Sequence, residues 1–201
     1  KLDVGTFSWQ KCLGGEAGHG ILVLSPKAVE RINTYNPPWP IPKLFQLRKN
    51  GKLNLDIFSG ATINTPSMLC VEDFLDALKW TREVGGLSAL ISKSKNNLNI
   101  IKNWISDSHW ADFLCEDFNN LSSTSICLKL VDPKIIDLPS EIKNNIEKNI
   151  VKLLEDHKVA FDIGSYRSAP PGFRIWGGPT VENDDVKNLL PWLDWAYYET
   201  L

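Results

Sequence analysis

The chain has 201 residues and a formal net charge of −2, with 43% hydrophobic and 23% charged residues, the profile of a globular protein able to bury its own core. Its 22 basic and 24 acidic side chains exclude a broad basic surface for nucleic acid, and no apolar run reaches bilayer-spanning length. The cysteines (Cys12, Cys70, Cys115, Cys127) form no CxxC pair and the histidines (His19, His109, His157) are scattered, so reduced thiols in the cytoplasm and no metal site are expected.

Residues 3–8 and 20–24 read as strands, separated by a segment ending in Gly14-Gly15. Residues 26–35 have the spacing of a short helix with Val29 and Ile32 on one side. Pro37, Pro38, Pro40 and Pro42 then stop regular structure, and this stiff stretch is the expected boundary between a unit 1–42 and a unit 43–201. Beyond it, Asn50-Gly51 sits between two alternating runs, 44–49 and 52–58, the pattern of a β-hairpin turn. Thr65-Pro66 reads as a helix start, with Thr65 the N-cap and Leu69, Phe74, Leu75 and Leu78 directed inward. That helix should stop at Gly85-Gly86, and a second should run over 87–105.

Residues 123–131 suit a largely buried strand. Pro139-Ser140 opens a helix whose apolar face is Ile142, Ile146, Ile150, Leu153 and Leu154. Short strands are expected at 160–163 and 173–176, and a last helix from Asn183 should kink at Pro191. Alternating helices and strands with one hairpin give an α/β class, α+β in the second unit, with a mixed or antiparallel sheet covered by helices.

Three segments carry candidate chemistry. Lys11 ends an apolar strand before a glycine pair, where burial would lower its pKa and make its amine a nucleophile toward an aldehyde; a solvated surface lysine is the alternative. Asn64 and Thr65 precede a helix whose unpaired N–H groups suit a phosphate, against the alternative of an ordinary cap. Arg174 alternates with Phe173 and Ile175 on a strand and can grip a carboxylate through two parallel hydrogen bonds, with Arg167 one loop earlier as a second cation. Exposed, functionless arginines are the alternative there.

Taken in order along the chain, these segments resemble the phosphoserine aminotransferases, in the class-V group of fold-type-I pyridoxal-phosphate enzymes. The resemblance rests on Ser8-Trp9-Gln10-Lys11-Cys12-Leu13-Gly14-Gly15-Glu16, on Thr62-Ile63-Asn64-Thr65-Pro66-Ser67, on Tyr166-Arg167-Ser168-Ala169-Pro170-Pro171-Gly172-Phe173-Arg174, and on Pro191-Trp192-Leu193-Asp194-Trp195-Ala196. It implies Lys11 as the Schiff-base lysine and proton shuttle, and Gln10 as a contact to the phosphate of pyridoxal 5′-phosphate. It implies Asn64 and Thr65 as phosphate contacts reaching across a homodimer, Arg174 as the holder of the substrate α-carboxylate and Arg167 as a contact to the substrate phosphate. The implied substrates are phosphoserine and 2-oxoglutarate.

Members of the family are about twice this length, so the resemblance implies a C-terminal part: the last strands of a large cofactor domain in residues 1–42, followed by the small C-terminal domain in 43–201. The first two strands would then leave open edges that favour self-association, and the isolated chain would lack the aspartate that pairs with the cofactor ring. Another class-V pyridoxal-phosphate enzyme, or a folded module without catalysis, are the competing expectations.

Overall fold

The computed structural model describes residues 1–201. They form two compact units, Lys1–Trp80 and Thr81–Leu201. The division falls inside a helix and not at the proline cluster. Those prolines turn the chain back on itself within the first unit: from beyond them, Arg48 Nη1 donates to the Tyr35 carbonyl (2.6 Å) and Leu53 N to Asn33 Oδ1 (2.7 Å).

In the first unit, β1 (Val4–Phe7) pairs antiparallel with β2 (Ile21–Leu24), Val4 opposite Leu24 and Phe7 opposite Ile21. The helix α1 (Pro26–Thr34) starts where Ser25 accepts from Ala28 N, with Pro26 in the first turn, where its missing N–H costs nothing. Ser25 Oγ also donates to Asp3 Oδ1 (2.9 Å), tying the helix start to the base of β1. The hairpin of β3 (Arg48–Lys49) and β4 (Lys52–Leu53) turns through Asn50 (φ 54°) and Gly51 (φ 78°), the left-handed pair its sequence demands. Its strands are shorter than the alternation suggested, because 3₁₀ turns at Lys43–Phe45 and Leu55–Ser59 take over the flanks.

The next helix, α2 (Met68–Glu83), begins later than Thr65. Ser67 Oγ accepts from Cys70 N (3.4 Å), so Ser67 occupies the capping position and Thr65 and Pro66 stay outside the first turn. The inward stripe also differs from the expected one. Leu69 and Leu75 are 74% and 52% exposed, whereas Cys70 and Ala77 are buried. Trp9 sets this rotation: its indole stacks on Phe74 (4.5 Å between centroids), so the stripe follows 70, 73, 74 and 77 at helical spacing.

In the second unit, α3 (Gly86–Asp107) follows Gly85, which stands at φ 107°. The sheet is three-stranded and wholly antiparallel, in the order β5 (Ala111–Phe113), β6 (Ser125–Leu130), β7 (Gly172–Trp176). The strand β5 was not legible, since three residues are too few to show a period. The strand expected at 160–163 reduces to a single bridge between Gly164 and Phe173; Lys158 (φ 57°) and Asp162 (φ 55°) break the extended run. The remaining helices are α4 (Pro133–Ile136), capped by Asp132, α5 (Ser140–Asp156) and α6 (Asn183–Thr200), which continues through Pro191.

The core of this unit joins Ile126, Leu128, Phe173 and Ile175 of the sheet to Ile101, Ile150, Leu154 and Leu193 of the helices, each at most 2% exposed. Burying each such side chain contributes about 1.5–3 kcal/mol. Asn97 crosses from α3 to the loop before α6: Nδ2 donates to the carbonyls of Gly177 (3.2 Å) and Val181 (3.1 Å) while Oδ1 accepts from Asn183 (2.6 Å). No helix is long and apolar enough to cross a membrane.

Candidate active site

The candidate residues fall in two groups, Gln10, Lys11, Asn64 and Thr65 in the first unit and Arg167 and Arg174 in the second.

Lys11 lies on the turn that follows β1. Gly14 N donates to the Lys11 carbonyl and Gly15 N to the Trp9 carbonyl, both at 3.0 Å, which closes the turn and presents Gln10 and Lys11 on its exposed side. Of the two expectations for this lysine the structure shows the solvated one: within this chain Lys11 is exposed. What is buried is Trp9 beside it, 4% exposed, held between Phe74 and the His19 ring at 5.7 Å. Gly15 has no substitute here, because a Cβ would come within 2.4 Å of Trp9 Cδ1 and 2.8 Å of Asp73 Oδ2. Asp73 Oδ2 accepts from Glu16 N (3.0 Å), fastening the end of the turn to α2.

Asn64 and Thr65 lead into α2, and both are exposed. Ser67 N donates to His19 Nε2 (3.1 Å), and Ser8 Oγ donates to the His19 carbonyl (3.1 Å), so one histidine ties the lysine turn to the 64–67 segment. Asn64 and Thr65 border an open groove of about 670 Å³ together with Lys43, Arg48 and Lys49. Gln10 and Lys11 do not line that groove. The cations and the Thr62, Asn64 and Thr65 side chains along it have the chemistry of an anion site.

In the second unit, Arg174 projects from the face of β7 opposite the buried Phe173 and Ile175. Its Nη2 donates to Asp162 Oδ2 (2.9 Å) and to the Asp162 carbonyl (3.3 Å), and its guanidinium lies 4.3 Å from the centroid of the Tyr166 ring. Its Nε is buried and has no hydrogen-bond partner. A guanidinium with one edge held and Nε unsatisfied retains donor capacity for a planar carboxylate. Arg167 is exposed and borders a groove of about 720 Å³ with Lys148, Lys152 and the buried Glu147.

Sequence reasoning missed Glu147, Asp162, Tyr166 and His19. Two of them left a signal: Tyr166 opens the motif that carries Arg167 and Arg174, and Glu147 stands three residues before Ile150, a carboxylate on the apolar stripe of α5. The Pro191–Ala196 motif proves structural in its middle. Asp194 accepts the indole N–H of both Trp104 (2.9 Å) and Trp110 (2.8 Å), and Leu193 and Ala196 are fully buried.

The phosphoserine aminotransferases of Methanosarcina mazei and Methanosarcina barkeri are each 52% identical to the chain over 197 residues, which is 98% of this chain and 50% of each relative. Along nearly its whole length the chain is similar to phosphoserine aminotransferases. It spans about half the length of these curated relatives. No family model matches it. Among solved structures, a phosphoserine aminotransferase studied for radiation damage of its Schiff base superimposes with a TM-score of 0.72 over 98% of this chain and 48% of that one, at 16% identity. The phosphoserine aminotransferase of Cytophaga hutchinsonii gives 0.63 over 96% and 49%, at 21% identity. At these identities the superpositions speak for fold: the helices and small antiparallel sheets described above are those of the matched part of phosphoserine aminotransferase structures.

Proposed function

We propose that the chain is the C-terminal part of a pyridoxal-phosphate-dependent phosphoserine aminotransferase, a cytoplasmic homodimer of serine biosynthesis. The reaction exchanges an amino group between phosphoserine and 2-oxoglutarate, giving 3-phosphohydroxypyruvate and glutamate. The observation that carries this reading is 52% identity along 98% of the chain. In it, residues 1–42 are the end of the cofactor-binding domain and residues 43–201 the small domain.

The donor set suits pyridoxal phosphate and its substrates. A primary amine stands on a closed turn at Lys11; neutral and cationic donors border the groove at Asn64 and Thr65; and a buried, unpartnered guanidinium nitrogen is available at Arg174. When bound, the cofactor supplies an aldehyde for the lysine and a ring that accepts the electron pair left on the substrate α-carbon.

Lys11 anchors the group through its amine and carries the proton to and from the α-carbon. Gln10 donates to the cofactor phosphate from the same turn. Asn64 and Thr65 border a groove that Gln10 and Lys11 do not line, and this separation supports their serving the site of a second copy. Arg174 binds the α-carboxylate, with Tyr166 fixing the plane of the guanidinium, and Arg167 neutralises the phosphate of phosphoserine.

The test is to reduce the protein with borohydride in the presence of pyridoxal phosphate and to map the modified lysine. Modification of Lys11 in the enzyme that turns over phosphoserine in preference to alanine, and loss of both modification and turnover in Lys11→Ala, are expected. Modification elsewhere overturns the assignment of Lys11, and preference for alanine overturns the substrate.

A further inference from the structure

Glu147 is a carboxylate on the buried face of α5, three residues before Ile150 and seven before Leu154, and only 6% of it is exposed. A carboxylate at that depth is tolerated when both oxygens are hydrogen-bonded. Oε1 accepts from Ser165 N (2.8 Å) and Ser165 Oγ (2.6 Å), and Oε2 accepts from Gly172 N (2.9 Å). One side chain therefore fastens both ends of the loop 165–172. Inside the loop, one backbone turn runs from Ala169 N to the Tyr166 carbonyl, and Pro170 and Pro171 have no N–H to contribute.

This loop carries the recognition groups. Tyr166, next to the first anchor, holds its ring against the Arg174 guanidinium at 4.3 Å, and Arg167 follows it. Gly172, the second anchor, opens β7 two residues before Arg174. A Cβ at Gly172 would fall 2.0 Å from the Leu128 carbonyl oxygen, so the backbone here is pressed against β6 and has one position to take.

We propose that Glu147 is a positioning residue for anion recognition: without touching substrate, its carboxylate fixes the loop that bears Tyr166 and Arg167 and so orients Arg174. The proposal rests on the reading of Arg174 and Arg167 as the carboxylate and phosphate contacts, and it adds what holds them in register. A buried acceptor for three donors is a stiffer restraint than a surface ion pair, because each bond is shielded from water.

Two variants test it. Glu147→Ala removes both anchors. Glu147→Gln keeps a carbonyl oxygen for Ser165 but turns an amide donor toward the Gly172 N–H. Amide hydrogen exchange in the 201-residue chain is expected to rise about tenfold or more across 164–172 in the Ala variant, with 125–130 in β6 unchanged, and to rise at the Gly172 end alone in the Gln variant. In the cofactor-loaded enzyme, KM for phosphoserine and for 2-oxoglutarate is expected to rise about tenfold in the Ala variant, kcat staying within about threefold. Should the Ala variant not fold, the Gln variant carries the same comparison. Unchanged exchange in 164–172, or faster exchange with unchanged KM, overturns the role of Glu147. Unchanged KM in Arg174→Lys overturns the recognition reading itself, whereas raised KM in Arg174→Lys beside normal KM in both Glu147 variants overturns the proposal alone.

Discussion

The Tyr197 hydroxyl donates a hydrogen bond to the Asp132 carboxylate inside the second unit. Tyr197 is 1% and Asp132 4% exposed, so the pair joins the last helix to the cap of α4 out of contact with water. The hydroxyl, and then the Lys134 N–H, hold the Asp132 carboxyl below the usual carboxylate range. Burial and the same carboxylate push the Tyr197 hydroxyl well above the ordinary tyrosine range.

The sign of the pH dependence follows. A carboxyl whose pKa is depressed on folding contributes stability that is present above its unfolded value of about 3.9 and is lost as pH falls through the folded value. Stability should decline below about pH 4. Tyr197→Phe should cost about 1–3 kcal/mol at neutral pH by leaving a buried carboxylate short of a donor, and the cost should be smaller at pH 3, below the unfolded value of about 3.9, because folding there must strip a proton that the unfolded carboxyl already holds. Denaturant titrations of both proteins at the two pH values measure this; a cost independent of pH contradicts it.

Asp194 does comparable work at the other end of the same aromatic cluster, where Trp110 stacks on Tyr197 at 4.4 Å. Its two oxygens each take one indole N–H. Asp194→Ala strands both donors and should lower stability by about 2–4 kcal/mol with loss of near-ultraviolet ellipticity. Asp194→Asn keeps one acceptor and should lose about half as much. Equal losses in the two variants would show that the carboxylate acts otherwise than by accepting both bonds.

The two units differ in how much apolar surface they bury. Buried apolar side chains in the first unit are confined to Trp9, Ala28, Cys70 and Ala77, while Leu2, Val4, Leu44, Phe45, Leu55 and Leu69 are exposed. Amide exchange should therefore be faster in β1 and β2 than in β6 and β7. Addition of a partner that covers the first unit, a second copy or further chain, should slow exchange in the first pair alone. Equal protection of the two sheets in the isolated chain would contradict this.

What the sequence made legible depended on where the determining chemistry lay. Asn50-Gly51 specifies its own turn, and Pro139-Ser140 its own helix start, because the backbone preference resides in those residues. The register of α2 was set from outside, by a tryptophan some sixty positions earlier in sequence, so the helix's own pattern pointed to Leu69 and Leu75 in place of Cys70 and Ala77. Lys11, Asn64 and Arg174 could be singled out as residue types suited to aldehyde, phosphate and carboxylate. Glu147, Asp162 and Tyr166 act through Ser165, Gly172 and Arg174, relations that exist only after the chain has folded.

Gly172 offers a steric test of the β7 entry. With its Cβ position 2.0 Å from the Leu128 carbonyl oxygen, Gly172→Ala must shift backbone against backbone. A loss of about 1–3 kcal/mol is expected by thermal or denaturant unfolding, the range for overpacking at a closely packed position. A neutral result would mean that β6 and β7 separate more readily than their ladder of hydrogen bonds implies.

Asp162 stands as a competitor for Arg174. It contacts the guanidinium at 2.9 Å, yet its own side chain is 90% exposed. An ion pair so open to water is worth about 0–1 kcal/mol, so a substrate carboxylate that displaces it gives up at most about a fivefold factor in binding. Asp162→Asn removes the charge and preserves the left-handed backbone, which asparagine adopts as readily as aspartate. In the cofactor-loaded enzyme this variant should lower KM for glutamate by about two- to fivefold, with kcat little changed and the salt dependence of KM reduced. A raised KM would mean that Asp162 holds Arg174 in its productive orientation instead of competing for it, and the Glu147-anchored loop would then not suffice to orient the arginine.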